Sequence, residues 1–252
     1  MRGFRRVAGT YVAGLDGAER EVLATVAADV AELLGAGRFG TDPRPAVAGE
    51  AERVANPLIG LKLSAVAVPA PIDPAVHRLL PDASDDDPEL AAEFRRLTES
   101  DLRTLKVDRL RRLWELLEAA AESDDAAESD DAAGPDDAAG PDDAEADDAA
   151  ERGPGADLVV AIADAAELAA TLTDLRLVLA DRLGVESEED SDALYEALDR
   201  RDLGLEASDA DDPDRPGRDV LADEIREYLA SVYAALSWLQ ESLLAVMLAD
   251  LP

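Results

Sequence analysis

DVLADEIREYLASVYAALSWLQESLLAVMLAD, residues 219–250, reads as one helix. Ile225, Leu229, Val232, Leu236, Leu239, Leu243 and Val246 recur at alternating spacings of four and three, which sets them in one stripe. Tyr233, Trp238, Leu244, Met247 and Leu248 widen the apolar surface, and from Tyr228 to Ala249 the only charged residue is Glu241. A helix apolar on most of its circumference is expected inside a fold, so 225–248 is expected as the central core helix. A polar triplet, Gln240-Glu241-Ser242, interrupts it. The stretch is long enough to span a bilayer, but these groups make insertion costly, and no membrane association is expected.

Outward from this helix, two strand–helix units share a pattern. Phe4 to Leu15 reads as a hairpin turning at Ala8-Gly9-Thr10, followed by Asp16-Gly17-Ala18-Glu19, the letters of a capping box. The helix it opens carries Leu23, Val26 and Val30 on one face and stops at Gly35. Leu158 to Ile162 is a second β-prone run, and Asp164-Ala165-Ala166-Glu167 repeats the cap letters. Leu168, Leu172, Leu175, Leu179 and Leu183 face inward along the helix that follows, which Gly184 ends. The 158–162 strand is expected to join the hairpin. The fold class is therefore mainly α, a helical domain with a small three-stranded β-sheet, interrupted by a disordered acidic insertion.

Between the units, residues 41–87 are loop-rich, with a short helix near 48–55. Asp87-Pro88-Glu89 opens a helix with Leu90, Ala91, Phe94 and Leu97 inward. Thr98-Glu99-Ser100-Asp101 is expected to cap a second helix, carrying Leu102, Leu105, Leu110, Leu113, Trp114 and Leu117. Residues 119–156 repeat Asp, Ala, Gly and Pro with no large apolar side chain, so they are expected to form a disordered acidic tether. Residues 1–118 and 157–252 then make one split helical domain, with a flexible acidic loop at 207–217.

Lys+Arg 24 against Asp+Glu 58 gives a net charge of -34, which repels phosphate backbones and makes direct nucleic-acid binding an unlikely role. No cysteine is present, which removes thiolate chemistry, disulfides and cysteine-based metal sites. Met1 to Arg6 is followed by no apolar signal core, and a cytoplasmic location is expected. His77 is the one histidine, without a partner for a metal or nucleophile site. Gly35-Ala36-Gly37-Arg38-Phe39-Gly40 has the dinucleotide-loop spacing, but a helix precedes it where a strand is needed, so it reads as a helix end. Neither an enzyme nor a cofactor is implied.

Two charge features remain. Arg95, Arg96, Arg103, Lys106, Arg109, Arg111 and Arg112 crowd into 18 positions. They read either as a solvated face paired with local acids or as a patch for an acidic partner or for the acidic tether. Inside apolar helices, Asp174, Arg176, Gln240 and Glu241 suggest a buried polar network, in which Glu241 is expected to pair with Arg176 or with Arg95 and Arg96.

Phe4-Arg5-Arg6-Val7, Leu79-Leu80-Pro81-Asp82-Ala83, Phe94-Arg95-Arg96-Leu97-Thr98-Glu99, Leu172-Thr173-Asp174-Leu175-Arg176-Leu177 and Tyr233 through Leu243 occur in this order. Together the segments resemble the actinobacterial "domain of unknown function 2017" family. Thr173 departs from an expected asparagine, and Ala234-Ala235 from a more polar or aromatic pair. The resemblance implies a cytoplasmic helical protein without established enzymatic activity. It also implies regulatory protein contacts, in transcription or stress machinery or alongside the Clp protease adaptor ClpS. The oligomeric state is left open.

Overall fold

A computed structural model describes residues 1–40, 69–131, 157–203 and 220–250. The expected helix near 48–55, the 207–217 loop and the 132–156 part of the acidic stretch lie outside the described residues. The protein is mainly α, with six helices and one small antiparallel sheet among those residues.

Strands β1 (Arg2–Val7) and β2 (Thr10–Gly14) form the hairpin, with Val7 opposite Thr10. The turn is left-handed at both central residues, Ala8 at φ 47 and Gly9 at φ 87. Strand β3 (Asp157–Ala161) runs antiparallel to β2, with Leu158 opposite Ala13 and Val160 opposite Tyr11. Sheet order is β1-β2-β3, so β3 is an edge. Leu158 and Val160 are buried while Val159 and Ala161 are exposed, the alternation a half-buried strand requires.

Helix α1 (Gly17–Leu33) starts at a full capping box: the Glu19 amide donates to Asp16 Oδ1 at 2.8 Å and the Asp16 amide to Glu19 Oε2 at 2.9 Å. It ends at Gly35, φ 85, where the Ala36 amide donates back to the Ala31 carbonyl at 2.9 Å. Gly35 is thus a helix terminator. Helix α2 (Pro74–Leu79) is capped by Asp73 and buries Leu79 and, just beyond it, Leu80.

Helix α3 (Pro88–Asp131) is one unbroken helix, which corrects the expected second start at Thr98. The Thr98 hydroxyl donates to the Phe94 carbonyl at 2.9 Å and the Thr104 hydroxyl to that of Ser100 at 2.8 Å. Hydroxyls bonded to the preceding turn cap nothing. The inner face also moves: Leu90, Phe94 and Leu97 are exposed and of that set only Ala91 is buried, the apolar contact running instead through Leu110, Leu113 and Leu117. The helix continues past 119, where disorder was expected to begin. Alanine is the best helix former, and extending a packed helix needs no new nucleus.

Helix α4 (Ala165–Leu183) is the central element, not the 225–248 helix. It packs on α1, α2, α3 and on α6 (Val220–Ala249), and it buries eleven residues. Helix α5 (Glu188–Asp202) leans on α6. On α6 the stripe Val232, Leu236, Leu239 and Leu243 is buried against α4 and β1, but Ile225, Trp238, Leu244 and Leu248 are exposed. Thirty residues of helix run about 45 Å, longer than the core it covers, so one face serves and the rest meets water. By length and composition Ala222–Ala249 could cross a membrane. Here its apolar stripe is occupied by protein. Strand β1 crosses α6 closely enough that a Cβ on Gly3 would sit 3.1 Å from that of Ser242. One apolar core draws on residues from Phe4 to Leu243, before and after 132–156.

Candidate functional site

Six of the seven cations in the α3 cluster face the chain's own acids. Arg95 bonds Asp82, Arg96 bonds Glu93 at 2.6 Å, and Arg103 bonds Glu99 at 2.8 Å and the Leu34 carbonyl at 3.0 Å. Lys106 reaches Asp174 on α4 at 2.6 Å, and Arg109 and Arg112 reach Glu167 at 3.6 and 2.5 Å. Arg111 stacks over the Phe39 ring at 4.6 Å. Among the described residues no open face of unengaged positive charge results. These side chains tie α3 to α1, to α4 and to the segment around Asp82. His77 Nε2 lies 3.2 Å from Asp82 Oδ2, and this contact, with Arg95, holds the Asp82 carboxyl below the usual carboxylate range.

The four residues expected in one polar network divide. Gln240 is buried and holds three groups of α4: its amide donates to Thr173 Oγ1 at 2.6 Å and the Ala169 carbonyl at 3.1 Å, and its oxygen accepts from Arg176 at 2.7 Å. Arg176 also lies over the Tyr233 ring at 5.4 Å. Asp174 points away to Lys106, because residues two apart on a helix are turned by about 200°. Glu241 is exposed and takes no part, which corrects its expected pairing with Arg176 or with Arg95 and Arg96. Ser242 turns the third way, accepting the Phe4 amide at 3.1 Å. The polar triplet is thus a fastener between α4 and β1, with its middle member in water.

An open site exists elsewhere. Between α3 and α4, beside β3, lies a cavity of about 360 Å³. Leu113, Leu116, Val160 and Leu168 supply its apolar wall, and Arg109, Arg112, Glu115, Asp164, Glu167 and Thr171 its polar part. Its geometry begins with a capping signal that folds differently from its twin. A 3₁₀ turn, Ile162–Asp164, feeds straight into α4 and leaves Asp164 at φ -97, ψ -7, with no side-chain cap bond. At Asp16 the extended backbone aims the carboxylate at the Glu19 amide; at Asp164 the helical backbone does not. Glu167, the other half of the box, is drawn across to Arg109 and Arg112. The Asp164 carboxylate is left exposed at the groove.

A second, larger cavity of about 600 Å³ lies between α1 and α3 over Phe39 and Trp114, but Glu21, Asp29, Glu32 and Glu118 line it and make its wall about half polar. Among the described residues no cluster of three histidine, aspartate or glutamate side chains could hold a metal. The groove residues Glu115, Leu116, Asp164 and Glu167 were not singled out as a site in the sequence. The available signal was the repeated Asp-x-x-Glu motif, which pointed to capping instead.

Fold and groove together define a mainly helical domain with a three-stranded sheet and an amphipathic cleft at its edge strand. The family model for "Domain of unknown function (DUF2017)" matches residues 1–247, and the chain belongs to that family. No curated protein and no solved structure matches it.

Proposed function

We propose that this is a non-enzymatic, cytoplasmic regulatory protein that acts by docking another protein in the groove between α3 and α4. The observation that carries the reading is the cavity of about 360 Å³ whose wall includes Leu116, left 37% exposed on a helix that has buried neighbours to offer. Its volume is in the range of specific binding pockets, and its make-up, four aliphatic side chains beside six polar or charged ones, is that of an amphipathic recognition site. Ile162, two residues before the groove's Asp164, is exposed as well. Aliphatic side chains grouped at an opening mark contact surfaces, whereas singly scattered ones do not.

A photo-crosslinking side chain at position 116, expressed in the native host, tests this. One discrete adduct is expected from 116 and not from position 238 on the outer face of α6. Adducts containing RNA polymerase or a sigma factor would place the protein in transcription, and Clp components would place it in adaptor-mediated proteolysis. The same smear of products from both positions would sink the docking reading.

A further inference from the structure

We infer that the occupant of the groove is an extended stretch of the partner, apolar at alternate positions and carrying a lysine or arginine beside them. The inference rests on the docking reading above and adds the chemistry of the ligand.

Strand β3 borders the groove at the side of the sheet. It pairs with β2 alone, so among the described residues its outer edge carries no strand. Such an edge is a template for a further strand. Side chains directly opposite in neighbouring strands share a face. A residue placed opposite Val160 would point where Val160 points, toward Leu113 and Leu168 in the cavity wall. Its two chain neighbours would point the other way, onto the face of exposed Val159. Every second residue of the occupant is therefore read by the groove, which is why alternation is the expected pattern.

Arg109 and Arg112 line the groove, but both are engaged with Glu167. Glu115 and Asp164 line it too, are exposed, and form no ion pair among the described residues. Asp164 is free because the 3₁₀ turn withdrew it from capping. Two arginines against Glu167, Glu115 and Asp164 leave the groove one net negative charge, and Glu115 and Asp164 are the carboxylates that form no ion pair among the described residues. A basic side chain on the occupant would answer it, and the surrounding field of a -34 chain steers basic segments inward.

The test uses the full chain and two short fluorescent peptides with the same alternating valine–threonine core, one flanked by lysines and one by glutamates. Fluorescence anisotropy at low salt is expected to show the lysine peptide binding at least about tenfold tighter. The double substitution Asp164→Asn with Glu115→Gln should erase that preference, and Leu116→Gln should weaken both peptides. All three side chains are exposed, so thermal melts should match wild type and keep folding apart from binding. A glutamate peptide that binds as well or better overturns the inference, as does a lysine preference that survives the double substitution. Should neither peptide bind while position 116 still crosslinks one partner, the extended basic occupant falls and the docking reading stands. Should position 116 capture nothing specific, the docking reading itself falls.

Discussion

Gln240 is one uncharged side chain holding three groups of another helix, and that multiplicity sets what its loss would cost. Replacing it with leucine keeps the volume but takes from the half-buried Arg176 guanidinium its hydrogen bond to the Gln240 oxygen, while the exposed Thr173 hydroxyl keeps its bond to the Ala169 carbonyl. Removing a hydrogen-bond partner from a half-buried cation costs about 1–3 kcal/mol. Urea unfolding of Gln240→Leu should show that loss. Glu241→Gln, one residue along, should stay within about 0.5 kcal/mol of wild type, since its carboxylate is exposed. Comparable losses in both variants would refute the division of the triplet. The triplet stands out in the sequence because charge is absent around it. Which member turns inward is not written there: adjacent residues differ by about 100° around the helix, and the position of α4 decides which azimuth is dry. Asp164 has the same character. Its letters match those of Asp16, and only the 3₁₀ turn before it, a product of how β3 enters α4, separates a cap from a free carboxylate.

At the scale of elements, the hairpin turn and the start of α5 each carry a measurable consequence. Ala8 adopts φ 47 to complete a turn that wants left-handed backbone at both centres. A Cβ there strains the backbone by about 1–2 kcal/mol, and asparagine bears the conformation better. Ala8→Asn should therefore raise the melting temperature; a fall would mean the turn is not of this type in solution. At α5 the Glu186 amide donates to the Asp190 carboxylate at 3.0 Å, and the Ser187 hydroxyl and amide donate at 2.8 and 2.9 Å. These bonds, the Glu186 amide first, hold its carboxyl below the usual range. A carboxyl with a lowered folded pKa stabilises above its unfolded pKa of about 4 and loses that contribution as pH falls through the lower folded value. The melting-temperature gap between wild type and Asp190→Asn, followed by circular dichroism, should be widest near pH 7 and close below about pH 4. A gap that widens in acid would contradict the assignment. Start and stop signals such as the Asp16 box, Pro88 and Gly184 act within a few residues, which is why they are legible along the chain. The continuity of α3 across Thr98 was not, because a threonine that caps and one that bonds its own preceding turn look identical as letters. Nor was the primacy of α4 over α6: hydropathy reports how apolar a helix is, whereas centrality depends on how many neighbours surround it.

For the whole molecule the question is whether its electrostatics is governed by local pairs or by total charge. The two pull in opposite directions with salt. The ion pairs that join α3 to α4 through Glu167 are partly exposed, and such pairs are worth about 0–1 kcal/mol each, reduced by screening. Against them stands the chain's net charge of -34, a self-repulsion that acts at long range. Screening length falls from about 30 Å at 0.01 M salt to about 10 Å at 0.1 M. Over that interval the repulsion between distant carboxylates is largely removed, while contacts at 2.5 to 3.6 Å lie well inside either length and lose little. The long-range term should win, and the melting temperature should rise as sodium chloride is raised from 0.01 to 0.1 M. Choline chloride should do the same, since screening depends on ionic strength and not on the cation. A melting temperature that falls would show that the arginine–carboxylate contacts outweigh the repulsion, and a rise with sodium alone would point to bound ions.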